Sequence, residues 1–142
     1  MEKSFRLEIV TPEKVVFDGQ VERMQVPASD GLMGVLPNHA PLLAELSVGS
    51  IDVHEVGGGE RVMFISDGFL QVANNHAKIL ANAGERAENI DIQRAEAAVD
   101  RARARLKEHG KLEGLPVDMI RAEFALQRAL WRLRVGKRAA GR

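Results

Sequence analysis

The stretch Gly84-Glu85-Arg86-Ala87-Glu88-Asn89 separates two kinds of sequence. Upstream of it, short apolar runs alternate with period two and are punctuated by turn residues. Downstream, small apolar residues recur at helical spacing. Charge changes sign at the same place: Met1–Arg86 carries 7 Lys/Arg against 12 Asp/Glu, whereas Ala87–Arg142 carries 13 against 8, so a formal net charge of zero hides an acidic part and a basic part. Nine of the 13 Gly and four of the 5 Pro lie upstream, and 11 Ala lie downstream. Two structural units are therefore expected, residues 1–86 and residues 87–142.

The first unit reads as strands. Apolar runs fall at Phe5–Val10, Val15–Phe17, Val21–Val26, Leu42–Leu46, Ile51–Val56, Val62–Ile65, Phe69–Val72 and Lys78–Ala81. Thr11-Pro12, Asp18-Gly19, Ser29-Asp30-Gly31, Gly57-Gly58-Gly59, Asp67-Gly68 and Asn74-Asn75 supply turn chemistry between them. Closely spaced strands with no helical pattern between them predict an antiparallel β-sandwich or barrel.

The second unit reads as two helices. Asn89 or Asp91 caps a helix running to about His109, Gly110–Pro116 interrupts the periodicity, and a second helix runs from about Val117 to Val135. Ala95, Ala98, Val99, Ala102 and Leu106 form one stripe; Ala122, Ala125, Leu126, Ala129 and Leu133 form another. Small residues on both predict a close antiparallel hairpin. Gly136–Arg142 is expected to be a frayed basic end. The stripes belong to an internal repeat at an offset of 27, in which Arg94, Arg101 and Arg105 match Arg121, Arg128 and Arg132. Folded together, the helices could gather Arg94, Arg101, Arg128 and Arg132 into a cationic cleft suited to phosphate oxygens; a solvated basic face is the alternative.

Catalytic chemistry is not indicated. Cys is absent, the four His (His39, His54, His76, His109) have no metal-ligand spacing, and no phosphate loop or nucleophile elbow is present. No metal site is expected. The neutral balance argues against nucleic acid as a partner, and no segment is apolar for long enough to insert in a membrane. His39, between Pro37 and Pro41, reads either as a turn histidine or as part of a contact surface.

Gly31-Leu-Met-Gly-Val-Leu36-Pro37-Asn38-His39-Ala40-Pro41-Leu42 resembles the signature loop of the epsilon subunits of bacterial F-type ATP synthases, and Phe64-Ile-Ser-Asp-Gly-Phe-Leu-Gln-Val72 resembles a second block of that family. The resemblance covers nearly the whole chain. It implies a sandwich of about ten strands followed by a helical hairpin. It also implies a non-catalytic rotor subunit of a proton- or sodium-translocating synthase. Such a subunit docks on the gamma subunit and the c-ring, peripheral to the cytoplasmic face of the bacterial plasma membrane, and Leu36, Pro37, Asn38 and His39 are candidate contacts. In the family the hairpin switches between folded and extended forms, and the extended form reaches the alpha/beta catalytic hexamer and inhibits ATP hydrolysis. The competing reading is a stand-alone β-sandwich adaptor whose basic helical arm binds an acidic protein surface.

Some members of the family bind ATP on the folded hairpin through an I/L-D-x-x-R-A motif. Here the motif stands complete as Ile90-Asp91-Ile92-Gln93-Arg94-Ala95, and Glu85, Arg101, Arg128 and Arg132 occupy further matching positions. The resemblance implies that the arginines face phosphates, with Glu85 and Asp91 holding polar groups or orienting the arginines. ATP is then a regulatory ligand rather than an obligatory cofactor, and a role for magnesium is left open. The counter-reading is that Asp91 caps the helix and Arg94 pairs with Asp91 or Glu88.

Overall fold

Period-two alternation becomes two-layer burial. On β1 (Phe5–Val10), Phe5, Leu7 and Ile9 are buried while Arg6 faces out. The computed structural model describes residues 2–111 and 116–141, without the side chains of 109–118. β2 (Val15–Ala28) is a single strand of 14 residues. A turn expected at Asp18-Gly19 does not form, because both residues stay in the ladder, opposite Glu8 and Leu7 of β1. Beyond a register shift at Val21/Arg23, β2 pairs with β3 (Gly31–Val35) on one side and β5 (Gly49–Glu55) on the other, so this one strand joins the two layers.

The remaining strands are β4 (Leu42–Leu46), β6 (Glu60–Ile65), β7 (Gly68–Ala73), β8 (His76–Ala81) and β9 (Gly84–Arg86). Their order is β1-β8-β7-β4-β2-β5-β6-β9, with β3 attached to β2 and β1 closing back onto β2. All pairings are antiparallel except β1 with β8, which run parallel. The result is a nine-stranded sandwich, in which β3 and β9 add to the apolar runs legible in the sequence.

A 3-10 turn (Ala87–Asn89) leads into α1 (Ile92–Lys111), and α2 (Pro116–Ala139) follows. Of the expected link, 112–115 lie outside the described residues. Gly136 and Ile92 are in contact range at one end, and Arg105 and Arg121 line one cavity at the other, so the helices run antiparallel. The stripes bury Ala95, Val99 and Ala102 against Ala122 and Ala129, as small-residue packing requires. α2 extends past the expected end at Val135, and Gly136 to Ala139 are not a frayed tail. Gly136 sits so close to Ile90 that a Cβ there would lie 2.9 Å from Ile90 Cγ2. Two residues on, the Arg138 guanidinium bonds both Asp52 carboxylate oxygens at 3.2 and 3.3 Å.

Two apolar cores result. Leu7, Ile9, Ile51, Met63, Ile65 and Ile79 belong to the one between the sandwich layers. The second lies outside the sandwich, where Phe64 meets Ala87, Ile90, Ala95 and Val135, flanked by Val62 and Trp131. Strand β6 is therefore covered on both faces: Met63 and Ile65 point inward, and Phe64 points out beneath α2. α2 does the docking onto β5, β6 and the 3-10 turn, while α1 packs chiefly on α2.

Candidate functional site

The start of the hairpin is organised by Asp91. Its Oδ1 accepts the Arg94 backbone N–H at 3.1 Å, and its carbonyl accepts the Ala95 N–H at 3.0 Å, so it is the N-cap of α1. That leaves one carboxylate oxygen and the Arg94 side chain, which is exposed, toward solvent. Ile90 and Ala95 are buried in the second core, under the helices.

Glu85 on β9 reaches the second helix. Its Oε1 lies 2.8 Å from Arg132 Nε, an ion pair in which the N–H is not aligned for a hydrogen bond. The same guanidinium lies 4.8 Å above the Phe64 ring centroid, a stacked cation–π arrangement. Arg134 stacks similarly on Trp131, at 4.9 Å. Arg61 carries a second bridge to this junction, to Glu55 at 3.4 Å and to Glu88 at 3.2 Å.

The four arginines of the expected cleft thus have different surroundings. Arg132 is half-buried against Glu85 and Phe64; Arg94 and Arg101 are exposed on α1; Arg128 lines a cavity facing the sandwich, together with Arg105 and Arg121. Sequence reading did not single out Arg105 and Arg121 as site residues, although the repeat had paired them with Arg132 and Arg94. It also missed the Asp52–Arg138 contact, which joins positions 86 residues apart and leaves no local signal.

The loop after β3 is held by asparagines. Asn38, at φ 62°, donates its N–H to Asn75 Oδ1 at 2.8 Å and its side-chain amide to the Glu2 carbonyl at 3.0 Å. Asn75 in turn donates to the Ser4 carbonyl at 2.8 Å. His39 Nδ1 lies 2.8 Å from the Ala40 carbonyl, and Pro37 is half-buried. Leu36 is left exposed, as are Leu32 (70 %) and Leu43 (73 %), and Phe69 and Leu80 face each other exposed across β7 and β8.

On the outer face of β1 and β2, the bidentate Arg6–Asp18 hydrogen bond holds the Asp18 carboxyl below the usual carboxylate range. Among the described residues no group of three or more His, Asp or Glu is placed to hold a metal, and no helix is long and apolar enough to cross a membrane.

A sandwich bearing an external two-helix arm, docked through its own small core and a few ion pairs, defines the class: a β-sandwich with a C-terminal helical hairpin. Residues 4–87 match the family model of the ATP synthase delta/epsilon chain β-sandwich domain, and residues 88–137 match that of the long α-helix domain of the same chains. An ATP synthase epsilon chain of Nitratidesulfovibrio vulgaris (strain DP4) is 47% identical over 135 residues, 95% of this chain and 97% of that one. One from Desulforamulus reducens is 42% identical over 137 residues, 96% of this chain and all of that one. In fold the chain is similar to one in the OSCP/F1/c-ring structure of the Euglena gracilis mitochondrial ATP synthase, with a TM-score of 0.78 and 22% identity, covering 100% of this chain and 84% of that one. A chain from the central stalk and c-ring of the Tetrahymena thermophila enzyme gives a TM-score of 0.55 at 18% identity, over 97% and 96%. The protein belongs to the ATP synthase delta/epsilon chain family and is a non-catalytic subunit of that enzyme.

Proposed function

We propose that the chain is the central-stalk subunit through which the gamma subunit is coupled to the c-ring, and that its hairpin regulates ATP hydrolysis by leaving the sandwich. The observation that carries this reading is the separateness of the second core. The sandwich closes its own core without the hairpin, and the arm is held by Ile90, Val135 and Phe64 together with the Arg132–Glu85 and Arg138–Asp52 pairs. Burying one such aliphatic side chain contributes roughly 1.5–3 kcal/mol, and exposed ion pairs about 0–1 kcal/mol each. A few contacts of that size suit an arm that is docked yet releasable.

Released, the arm presents Arg94, Arg101, Arg103, Arg105, Arg128 and Arg132, a surface complementary to an acidic partner such as the catalytic alpha/beta hexamer would have to provide. The exposed Leu36, Leu43, Phe69 and Leu80 support docking of the sandwich itself on gamma and the c-ring, since apolar side chains left outside a closed core mark interaction surfaces. That docking places the subunit peripherally at the cytoplasmic face of the plasma membrane.

ATP is proposed as the ligand that stabilises the docked arm. Glu85, Asp91, Arg94, Arg101, Arg128 and Arg132 are the binding groups, with Ile90 and Ala95 forming the packed floor. Asp91 keeps a free oxygen for a base or ribose donor, and the arginines supply forked donors to phosphate oxygens. Trp131, packed beside Arg132 and stacked under Arg134, is the lone tryptophan and reports on the site. Titrating the full chain with ATP is expected to give a saturable fluorescence change, absent with GTP and lost in Arg94→Ala. A flat trace with no calorimetric heat at millimolar ATP overturns the nucleotide role and leaves the coupling role standing.

A further inference from the structure

We propose that the space between the far half of the hairpin and the sandwich is a second anion site, one that takes a small phosphorylated molecule and lies apart from Asp91 and Arg94 at the start of α1, with Arg128 the one group common to it and to the set proposed for ATP. The cavity there is about 900 Å³, at the upper end of the roughly 300–1,000 Å³ that small-molecule sites occupy. Arg105 of α1 enters it with Arg121 and Arg128 of α2. Among the described residues none of these three guanidinium groups has an ion-pair partner, whereas Arg6, Arg61, Arg132 and Arg138 all do. Three like charges brought to one wall repel each other. An anion between them relieves that repulsion and accepts forked hydrogen bonds.

The two carboxylates of the facing wall keep their charge, but neither lies within ion-pair distance of the three arginines. Asp67, in the turn from β6 to β7, already accepts from Ser66 Oγ at 3.0 Å and Asn82 Nδ2 at 2.8 Å. Glu45 of β4 is the other carboxylate lining the space. Ser29 and Ser47 donate their hydroxyls to the carbonyls of Glu45 and Pro27, so they offer lone pairs to the cavity rather than protons. That wall suits the hydroxyl-bearing part of a phosphorylated molecule, and the arginine wall suits its phosphate. Phe124, 60 % exposed on α2, adds an apolar side.

The site follows from the antiparallel folding of the 27-residue repeat. The arginine pattern that opens α1 recurs in the first half of α2, which lies at the far end of the hairpin, so one sequence pattern creates a cationic group at each end. A ligand here touches both helices and the turns of the sandwich. It therefore stabilises the docked arm by linkage, and meets a nucleotide at Asp91 only through Arg128.

Inorganic pyrophosphate is the probe. In an Arg94→Ala background, which disables the start of α1, calorimetric titration of the full chain is expected to show saturable binding, weakened at least about tenfold by adding Arg105→Ala or Arg121→Ala. Arg121→Lys, which keeps the charge and loses the fork, is expected to fall between. All three side chains are exposed, so the melting temperatures of the unliganded variants should match the parent chain. No saturable heat at millimolar pyrophosphate overturns the proposal. Binding lost in Arg94→Ala but kept in Arg105→Ala and Arg121→Ala also overturns it, because the anion then sits at the start of α1. Pyrophosphate binding that depends on Arg121 supports it even where ATP fails to bind.

Discussion

Single residues carry constraints that their type alone does not reveal. Gly68 opens β7 opposite Ala81, and a Cβ on it would run into the Leu80 carbonyl oxygen and come within 2.8 Å of Ala81 Cα. Both obstacles are backbone atoms in a paired strand, so neither moves aside cheaply. Gly68→Ala is expected to destabilise the sandwich by about 1–3 kcal/mol, read as a lower urea midpoint with an unchanged slope. Sequence reading had assigned Gly68 to a turn with Asp67; the chain bends at Ser66 and Asp67, Gly68 is already paired in β7, and the close approach of β8 is the reason for glycine. Asp91 shows the reverse case. Its helix-capping role was legible as one of two readings, and the bond to Arg94 N–H realises it. The cap does not use the whole carboxylate, so a binding role for Asp91 is compatible with it.

At the scale of elements, the helices and most strands were readable because each depends on a period of two or 3.6 residues along the local chain. Four features escaped. β2 runs through Asp18-Gly19 because Arg6 and the β1 ladder hold that segment extended. The short strands β3 and β9 have no apolar alternation of their own and exist only as partners of β2 and β6. The last turn of α2 persists because Asp52 and Ile90 are waiting for Arg138 and Gly136. At the same end of the hairpin, the cap sets the start of α1: Asp91→Ala is expected to lower the thermal stability of the hairpin by about 1 kcal/mol, and Asp91→Asn to leave it nearly unchanged, as followed by helical circular dichroism. A equal loss in both variants would mean that the carboxylate charge, rather than the cap bond, holds the helix.

For the whole molecule, the decisive feature is that one strand serves two cores. The continuous apolar run Val62-Met63-Phe64-Ile65 was read only as a strand, yet such a run signals burial on both faces. The second face is covered by Trp131 and Val135 of α2, more than sixty residues later in the chain. A chain ending after Asn89 is therefore expected to keep a folded sandwich, because the inner core lies wholly within it, and to expose Phe64 and Val62. Its circular dichroism should retain the strand signal, and it should bind a hydrophobic dye that the full chain excludes. Loss of strand structure on truncation would mean that the arm is an integral part of the sandwich, which is incompatible with a releasable arm.

The sequence by itself determined the division into an acidic β unit and a basic helical hairpin, the family, and the set of arginines available to an anion, because these rest on local periodicity, composition and motif. Tertiary structure alone decided which of those arginines meet. It set Arg132 against Glu85 and Phe64, turned Arg128 toward Arg105 and Arg121, and closed Arg138 onto Asp52. The physical reason is that a guanidinium's partner is chosen by what the docked helix faces, and that is fixed by the packing of the second core, across distances along the chain over which no local pattern extends.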